Sequence, residues 1–373
     1  MEHDPFRPSF ARRSGLREGG KPASTFPDHA VMRAFITGVA GTTLTGAERQ
    51  FFKEAKPWGL ILFKRNVETP ESIRRLIGEF RAAVGHEAPV LIDQEGGRVQ
   101  RLGPPHWPSY PAGAAYGALY DQDANMGLAA AQLGARLIAA DLHNLGIDVD
   151  CLPLADVPVA GADPVIGDRA YGTEPAKVAA IAGAIAAGLM EGGVLPVLKH
   201  IPGHGRAMAD SHKRLPVVGT DRATLEATDF AAFRPLAALP LGMTAHVVFT
   251  AIDPVAPATT SATIVRDVIR DSIGFRGLLM SDDLSMDALS GSLGDRTRAA
   301  LAAGCDMVLH CNGKLAEMVE VAAHAPLLAD DAARRAEAAL AARQPPQPFD
   351  LAMPLDGFFK LMAGVWPPPQ GSA

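Results

Sequence analysis

Short, continuous apolar runs alternate along this chain with longer stretches in which apolar residues recur at every third or fourth position. Eight of the short runs read as strands: residues 34–38, 59–63, 89–93, 147–154, 195–200, 241–248, 277–282 and 306–310. Most are apolar throughout, as parallel strands covered on both faces must be. The stretches between them read as helices. Thr69 and Pro70 supply a cap and a first-turn proline, Ile73, Leu76, Ile77, Phe80 and Val84 follow at helical spacing, and Gly85 closes the segment. Residues 126–145, 175–191, 224–239, 261–272, 294–303 and 314–323 read similarly. Eight strands alternating with helices predict an α/β fold, a single-domain (β/α)8 TIM barrel. A doubly wound open sheet would need a glycine fingerprint after its first strand. Gly38-Val39-Ala40-Gly41 is too short to be one.

The barrel is expected to occupy residues 32–343. Residues 1–31 lack apolar periodicity and an apolar secretory core, so they read as a disordered N-terminal extension. A chain beginning at Met32 is therefore expected to fold and keep its function. Residues 344–373 open on QPPQPFD and end on PPPQGSA, which reads as a tail with a short helix near 357–362. Hydrophobic residues make up 48% and charged residues 20%, enough for a large core. A net charge of −6 disfavours a nucleic-acid or membrane-surface partner. No apolar run approaches the ~20 residues of a bilayer span. The three cysteines, Cys151, Cys305 and Cys311, are odd in number and lack metal-site spacing, as expected in a reducing compartment.

The candidate chemistry sits where the strands end. The third run ends in Asp93-Gln94-Glu95-Gly96-Gly97-Arg98, with Arg101 close behind. The fourth is followed by Asp156 and Ile166-Gly167-Asp168-Arg169, the fifth gives Lys199 and His200, the sixth His246, and the seventh Ser281-Asp282-Asp283. In a barrel these C-terminal ends converge on one pocket. The loop from Lys199 to His212 reads KHIPGHGRAMADSH. A carboxylate at Asp210 can fold back on the imidazole of His212, fix its tautomer and raise its basicity. That makes a general acid/base near neutral pH. His204, between two glycines, is expected to shape the turn, and His246 to support the pocket. Asp282 and Asp283 are adjacent, so in extended chain only one should face the barrel axis.

These segments resemble glycoside hydrolase family 3. The match rests on Lys199-His200-Ile201-Pro202-Gly203-His204-Gly205, Asp210-Ser211-His212, Ser281-Asp282-Asp283-Leu284-Ser285-Met286, Ile92 to Val99 and Val165 to Gly172. More narrowly they are similar to its single-domain bacterial branch, the β-N-acetylglucosaminidases (β-hexosaminidases) of peptidoglycan recycling. The resemblance implies a retaining exo-glycosidase with Asp282 as nucleophile and His212 as general acid/base, Asp210 being its partner. Asp93, Arg101, Arg169, Lys199 and His200 would hold the sugar. It also implies a peptidoglycan muropeptide or other amino-sugar substrate, no metal, no cofactor, no obligate protein partner and a cytoplasmic location. Tyr171 departs from the Ser-Phe often found at this point of the family.

Four rivals remain open at this level. Histidines 200, 204, 212 and 246 with Asp282 would suit an amidohydrolase-like zinc site, but no His-x-His pair ends the first strand. A catalytically dead sugar-binding protein would not need Asp210, His212 and Asp282 together. A β-glucosidase of the same family generally takes its acid/base from a second domain. A phosphorylase would profit from a histidine that does not repel phosphate.

Overall fold

The computed structural model describes residues 32–348 and 352–366. The expected N-terminal extension lies outside them, as do the last residues of the chain. Eight parallel strands close into a barrel: β1 (Arg33–Thr37), β2 (Pro57–Leu62), β3 (Val90–Ile92), β4 (Val149–Asp150), β5 (Leu195–Ile201), β6 (Leu241–Thr244), β7 (Leu278–Asp283) and β8 (Met307–His310). The first and last pair in parallel, Phe35 opposite Val308, and so close the ring. All eight apolar runs are strands, and the expected (β/α)8 barrel is the fold. The ladder of β4 is the shortest because Pro153 has no N–H to donate. Leu154 rejoins β5 through a single bridge to Lys199.

Strand alternation sorts the apolar residues into two cores. Ile36, Ile61, Leu91, Val149, Val197, Met243, Met280 and Leu309 fill the barrel. Phe35, Leu60, Ile92, Leu198, Leu279 and Val308 face the helices. The helix Pro70–Val84 has the predicted ends: Thr69 Oγ1 accepts from Ser72 N, and Gly85 is left-handed at φ 78°. Pro175–Glu191 is also a helix over the expected span.

Beyond the unanticipated helices Gly46–Ala55 and Gly113–Gln122, three segments depart from expectation. The helix expected over 224–239 is broken into Arg222–Ala227, Asp229–Phe233 and a 3-10 turn, Arg234–Leu236. Thr228 leaves helical geometry at the break, and the adjacent buried Asp229 carboxylate accepts from Arg206 at 2.6 Å. Local propensity cannot show that a tertiary ion pair sets this bend. The helix expected over 261–272 takes π-type turns over Ile264–Ser272. An unexpected helix, Asp330–Ala341, places Ala336 and Ala339 in the barrel-interior cluster. Alanine methyls leave too weak an apolar stripe to be read from sequence. The short C-terminal helix is present as Ala352–Met362. Its Phe358 is fully buried, with its ring centroid 6.4 Å from that of Tyr116.

Among the described residues, no helix is long and apolar enough to cross a membrane. The three cysteines are unpaired and buried.

Candidate active site

A cleft of about 420 Å³ opens at the C-terminal ends of the strands. It is lined by Asp93, Arg101, Arg169, Lys199, His200, His212 and Asp282 together. Asp210 does not line it but supports His212 from behind. The expected site residues, scattered over about 190 positions, thus meet in one place.

Its inner wall is a compact ion network. Lys199 Nζ lies 3.0 Å from Asp93 Oδ1 and 2.6 Å from Glu95 Oε1. Arg101 donates to Asp93 Oδ2 at 3.0 Å. Arg169 grips Glu95 with two parallel bonds of 2.8 Å, the geometry in which a guanidinium binds a carboxylate best. Burial alone would raise both carboxyl pKa values, but Lys199 and the arginines more than offset it. Asp93 falls well below the usual carboxylate range and Glu95 to about 2. The local chain is built to present these groups. Buried Gln94 takes the Arg101 and Leu102 N–H groups on its Oε1, at 3.0 and 2.9 Å, and so fixes the turn that carries Arg101. Gly96 is left-handed at φ 93°, and a Cβ there would lie 2.2 Å from the Pro111 carbonyl oxygen. Tyr171, the departure noted in the sequence, accepts the Leu154 N–H at 3.3 Å with its hydroxyl.

A second network surrounds the histidines. His200 donates from Nδ1 to Asp156 Oδ2 at 2.7 Å, and His204 N donates to Asp156 Oδ1 at 2.6 Å. His246 is fully buried between Thr259 Oγ1 (2.7 Å) and the Asp283 carbonyl oxygen (3.0 Å). That carbonyl can only accept, so Nε2 carries the proton. The Lys199–His200 peptide is cis, and both side chains line the cleft. Among the described residues, no group of three His, Cys, Asp or Glu side chains converges as metal ligands would. The zinc-type constellation of histidines and Asp282 is therefore not assembled.

The two adjacent aspartates both touch the cleft. Strict alternation would have turned one away, but the pairing of β7 with β8 shifts register between Met280 and Asp283. Their bonding separates them instead. Asp283 Oδ1 accepts from Ser285 N (3.0 Å) and Cys311 N (3.1 Å), and Oδ2 from Ser285 Oγ (2.6 Å). Asp282 accepts only the Asp283 N–H, at 2.8 Å on Oδ1, among the described residues. Its second oxygen takes no hydrogen bond among the described residues. Burial raises the Asp282 pKa, but His246, His200 and the Asp283 N–H hold it below the ordinary carboxylate value. The result is an ionised, under-bonded carboxylate facing a cleft, which is the state a nucleophile needs.

Asp210 Oδ1 accepts from both His212 Nδ1 (2.8 Å) and His212 N (3.0 Å). The fold-back expected from the spacing is present. His212 is 64% exposed at the mouth, and among the described residues its Nε2 takes no hydrogen bond.

Several lining residues escaped sequence reasoning. Glu95, the anchor of Arg169 and Lys199, was visible only as part of a turn. Phe63 and Arg65 follow β2, and Asn312 follows β8. The guanidinium carbons of Arg65 and Arg101 lie 4.9 and 5.2 Å from the Phe63 ring centroid, a cation–π arrangement. The rule that located the other groups, a polar residue just past an apolar run, reaches Arg65 and Asn312 too when applied to the second and eighth strands.

The Glu95 network yields a stability prediction. Its carboxyl has a depressed pKa in the folded state, so its contribution is full above the ordinary glutamate value of 4.5 and is lost as pH falls toward about 2. Glu95→Gln should cost roughly 3–5 kcal/mol at neutral pH, because buried Arg169 and Lys199 lose a shared partner. It should also flatten the pH dependence of stability between those two pH values. Denaturant midpoints of parent and variant measured across that window provide the check. An unchanged slope would show that Glu95 does not carry the network.

The profile of the glycosyl hydrolase family 3 N terminal domain matches residues 38–337. A beta-hexosaminidase of Alkalilimnicola ehrlichii is 40% identical over 281 residues, covering 74% of this chain and 80% of that one. Among solved structures, NagZ from Neisseria gonorrhoeae in complex with N-trifluoroacetyl-D-glucosamine superposes with TM-score 0.76 at 32% identity, over 90% of this chain and 97% of that one. A glycoside hydrolase family 3 beta-N-acetylglucosaminidase from Paenibacillus sp. gives 0.79 at 28% identity, over 90% and 67%.

Proposed function

The chain belongs to glycoside hydrolase family 3, and from that premise we propose that it is a retaining exo-β-N-acetylglucosaminidase. On this reading it removes terminal, non-reducing GlcNAc from peptidoglycan-derived GlcNAc-anhydroMurNAc, with or without its peptide, in cytoplasmic cell-wall recycling. The observation that carries the mechanism is the free oxygen of Asp282 in the same cleft as the Asp210-supported imidazole of His212. The relatives named for β-hexosaminidase and β-N-acetylglucosaminidase activity support the amino-sugar part.

Asp282 attacks the anomeric carbon from the face opposite the leaving group. The glycosidic C–O bond breaks as His212 Nε2 gives its proton to the departing oxygen, and a glycosyl ester forms on Asp282. Neutral His212 then takes a proton from water, which displaces the ester and restores the carboxylate. Two inversions give net retention. Asp210 stabilises the imidazolium during the water step. Asp93, Arg101, Arg169, Lys199 and His200 hold the sugar, and ion pairs among them and to Glu95 and Asp156 fix them before it arrives. Each assignment rests on the family motif and on that residue's bonding.

The test is product analysis on a GlcNAc-terminated disaccharide. Free GlcNAc should appear first as the β-anomer by NMR, at a rate unchanged by dialysis against a chelator, and with no sugar phosphate in phosphate buffer. First appearance of the α-anomer would contradict retention. A sugar 1-phosphate would mean phosphorolysis, and activity lost on dialysis and restored by zinc would mean a metal-dependent reaction.

A further inference from the structure

The loop that carries Asp210 and His212 is held very differently at its two ends. Upstream it is locked to the barrel. Gly205 O accepts from Val159 N at 3.3 Å, and Ala207 O from Asp163 N at 2.8 Å. A Cβ on Gly205 would lie 2.1 Å from the Val157 carbonyl oxygen, and Arg206 is paired with buried Asp229. Residues 208–214 instead bond mostly to themselves. Lys213 N and Arg214 N donate to Asp210 O at 2.9 and 3.1 Å, and the Arg214 guanidinium reaches Met208 O at 3.5 Å. Met208, His212, Lys213 and Arg214 are all exposed.

Ser211 differs from these four. It is buried between its more exposed neighbours, and its Oγ lies 3.0 Å from His204 Nε2. Its carbonyl oxygen accepts from Ala288 N at 3.2 Å, in the segment that follows Asp282. Among the described residues these two are the only hydrogen bonds that leave 208–214.

We propose that His204 and Ser211 are positioning residues for the acid/base: their hydrogen bond, backed by the Ser211–Ala288 backbone bond, tethers the Asp210–His212 pair at the cleft. This rests on the reading of His212 as acid/base. The tether begins at the carboxylate that orients His200, since Asp156 also holds His204 N. It ends on the loop after the proposed nucleophile. One residue therefore sets the register among the sugar-holding, acid/base and nucleophile loops. His204 suits the task because it is buried and neutral. Burial, reinforced by the nearby His200 ring, pushes its pKa down to about 4, so the bond does not titrate near neutral pH.

The test uses Ser211→Ala and His204→Leu, singly and together, in the full chain. Two readouts are taken: tryptic nicking after Lys213 and Arg214, and kcat/KM on a disaccharide against an activated aryl glycoside. Loss of one neutral hydrogen bond should speed nicking at these two sites about tenfold and lower kcat/KM on the disaccharide by about the same factor. The aryl glycoside should be nearly unaffected, and the other tryptic sites should stay protected. The double variant should be no worse than the worse single one, as for two residues acting through one bond. Unchanged nicking in Ser211→Ala would overturn the tether. Equal losses on both substrates would overturn the positioning role, and additive losses in the double variant would overturn the pairing. Should His204→Leu fail to fold, Ser211→Ala alone decides the first two points. Failure of the acid/base reading itself would appear separately, as a His212→Ala variant with no leaving-group dependence, and would leave the nicking result intact.

Discussion

Asp282→Ala is expected to remove nearly all turnover while leaving the fold intact. The free oxygen of Asp282 is the one that would attack the anomeric carbon, and no neighbouring carboxylate can take its place. Asp283 is the nearest in sequence, but Ser285 and Cys311 occupy both of its oxygens. Loss of a nucleophile should raise the barrier by on the order of 5 kcal/mol, a drop of about four powers of ten in kcat. Thermal unfolding should shift less than in Asp283→Ala, because removing Asp282 leaves one backbone N–H unpaired, that of Asp283. Asp283→Ala should behave differently. It strands two backbone N–H groups, costs roughly 1–3 kcal/mol of stability for each buried group left unsatisfied, and lowers activity through disorder of the loop. Steady-state rates and melting curves of the two purified variants separate these outcomes. Comparable turnover in Asp282→Ala and the parent would overturn the mechanism.

Truncating His212 should produce a loss that depends on the leaving group. A sugar alkoxide is a poor leaving group and needs its proton early, whereas an activated phenolate departs almost unaided. His212→Ala should therefore cost disaccharide kcat/KM roughly 10²–10⁴-fold, the usual range for general acid catalysis, and aryl glycoside kcat/KM far less. On the proposed mechanism the same imidazole activates water in the second step. With an aryl substrate the covalent intermediate should then accumulate, seen as a burst of phenol followed by slow turnover. Asp210→Ala should give the same pattern in milder form, because on the proposed mechanism Asp210 acts through its bond to the ring. An equal loss on both substrates without a burst would assign His212 to binding or structure, and the acid would have to be sought elsewhere.

How much of this was legible before the structure follows from what each feature depends on. The eight strands were readable because each is a short run apolar on both faces, and the two cores they build need nothing else. The strand-end groups Asp93, Lys199, His200 and Asp282 were readable because each directly abuts such a run. The Asp210–His212 contact was readable because it is local. Glu95 was not singled out: its importance lies in Arg169, which is 74 residues away in sequence. The broken helix after Asp221 depends on the Arg206–Asp229 pair, again a tertiary fact. The helix Asp330–Ala341 hid because alanine contributes little to an apolar stripe. The contact between His204 and Ser211 was invisible for the same reason as Glu95. Between its two glycines His204 reads as a turn residue, and only the folded loop brings it to Ser211.

The most direct test of the proposed chemistry is the mass of the trapped enzyme. A 2-deoxy-2-fluoro glycoside or similar slow substrate should stall the reaction after the first step. Trypsin releases residues 277–296 as one peptide, between Arg276 and Arg296. That peptide should gain the mass of one sugar, and its fragmentation should place the sugar on Asp282. A sugar on Asp283, or a complete absence of adduct from enzyme that still turns over the parent substrate, would contradict the covalent mechanism.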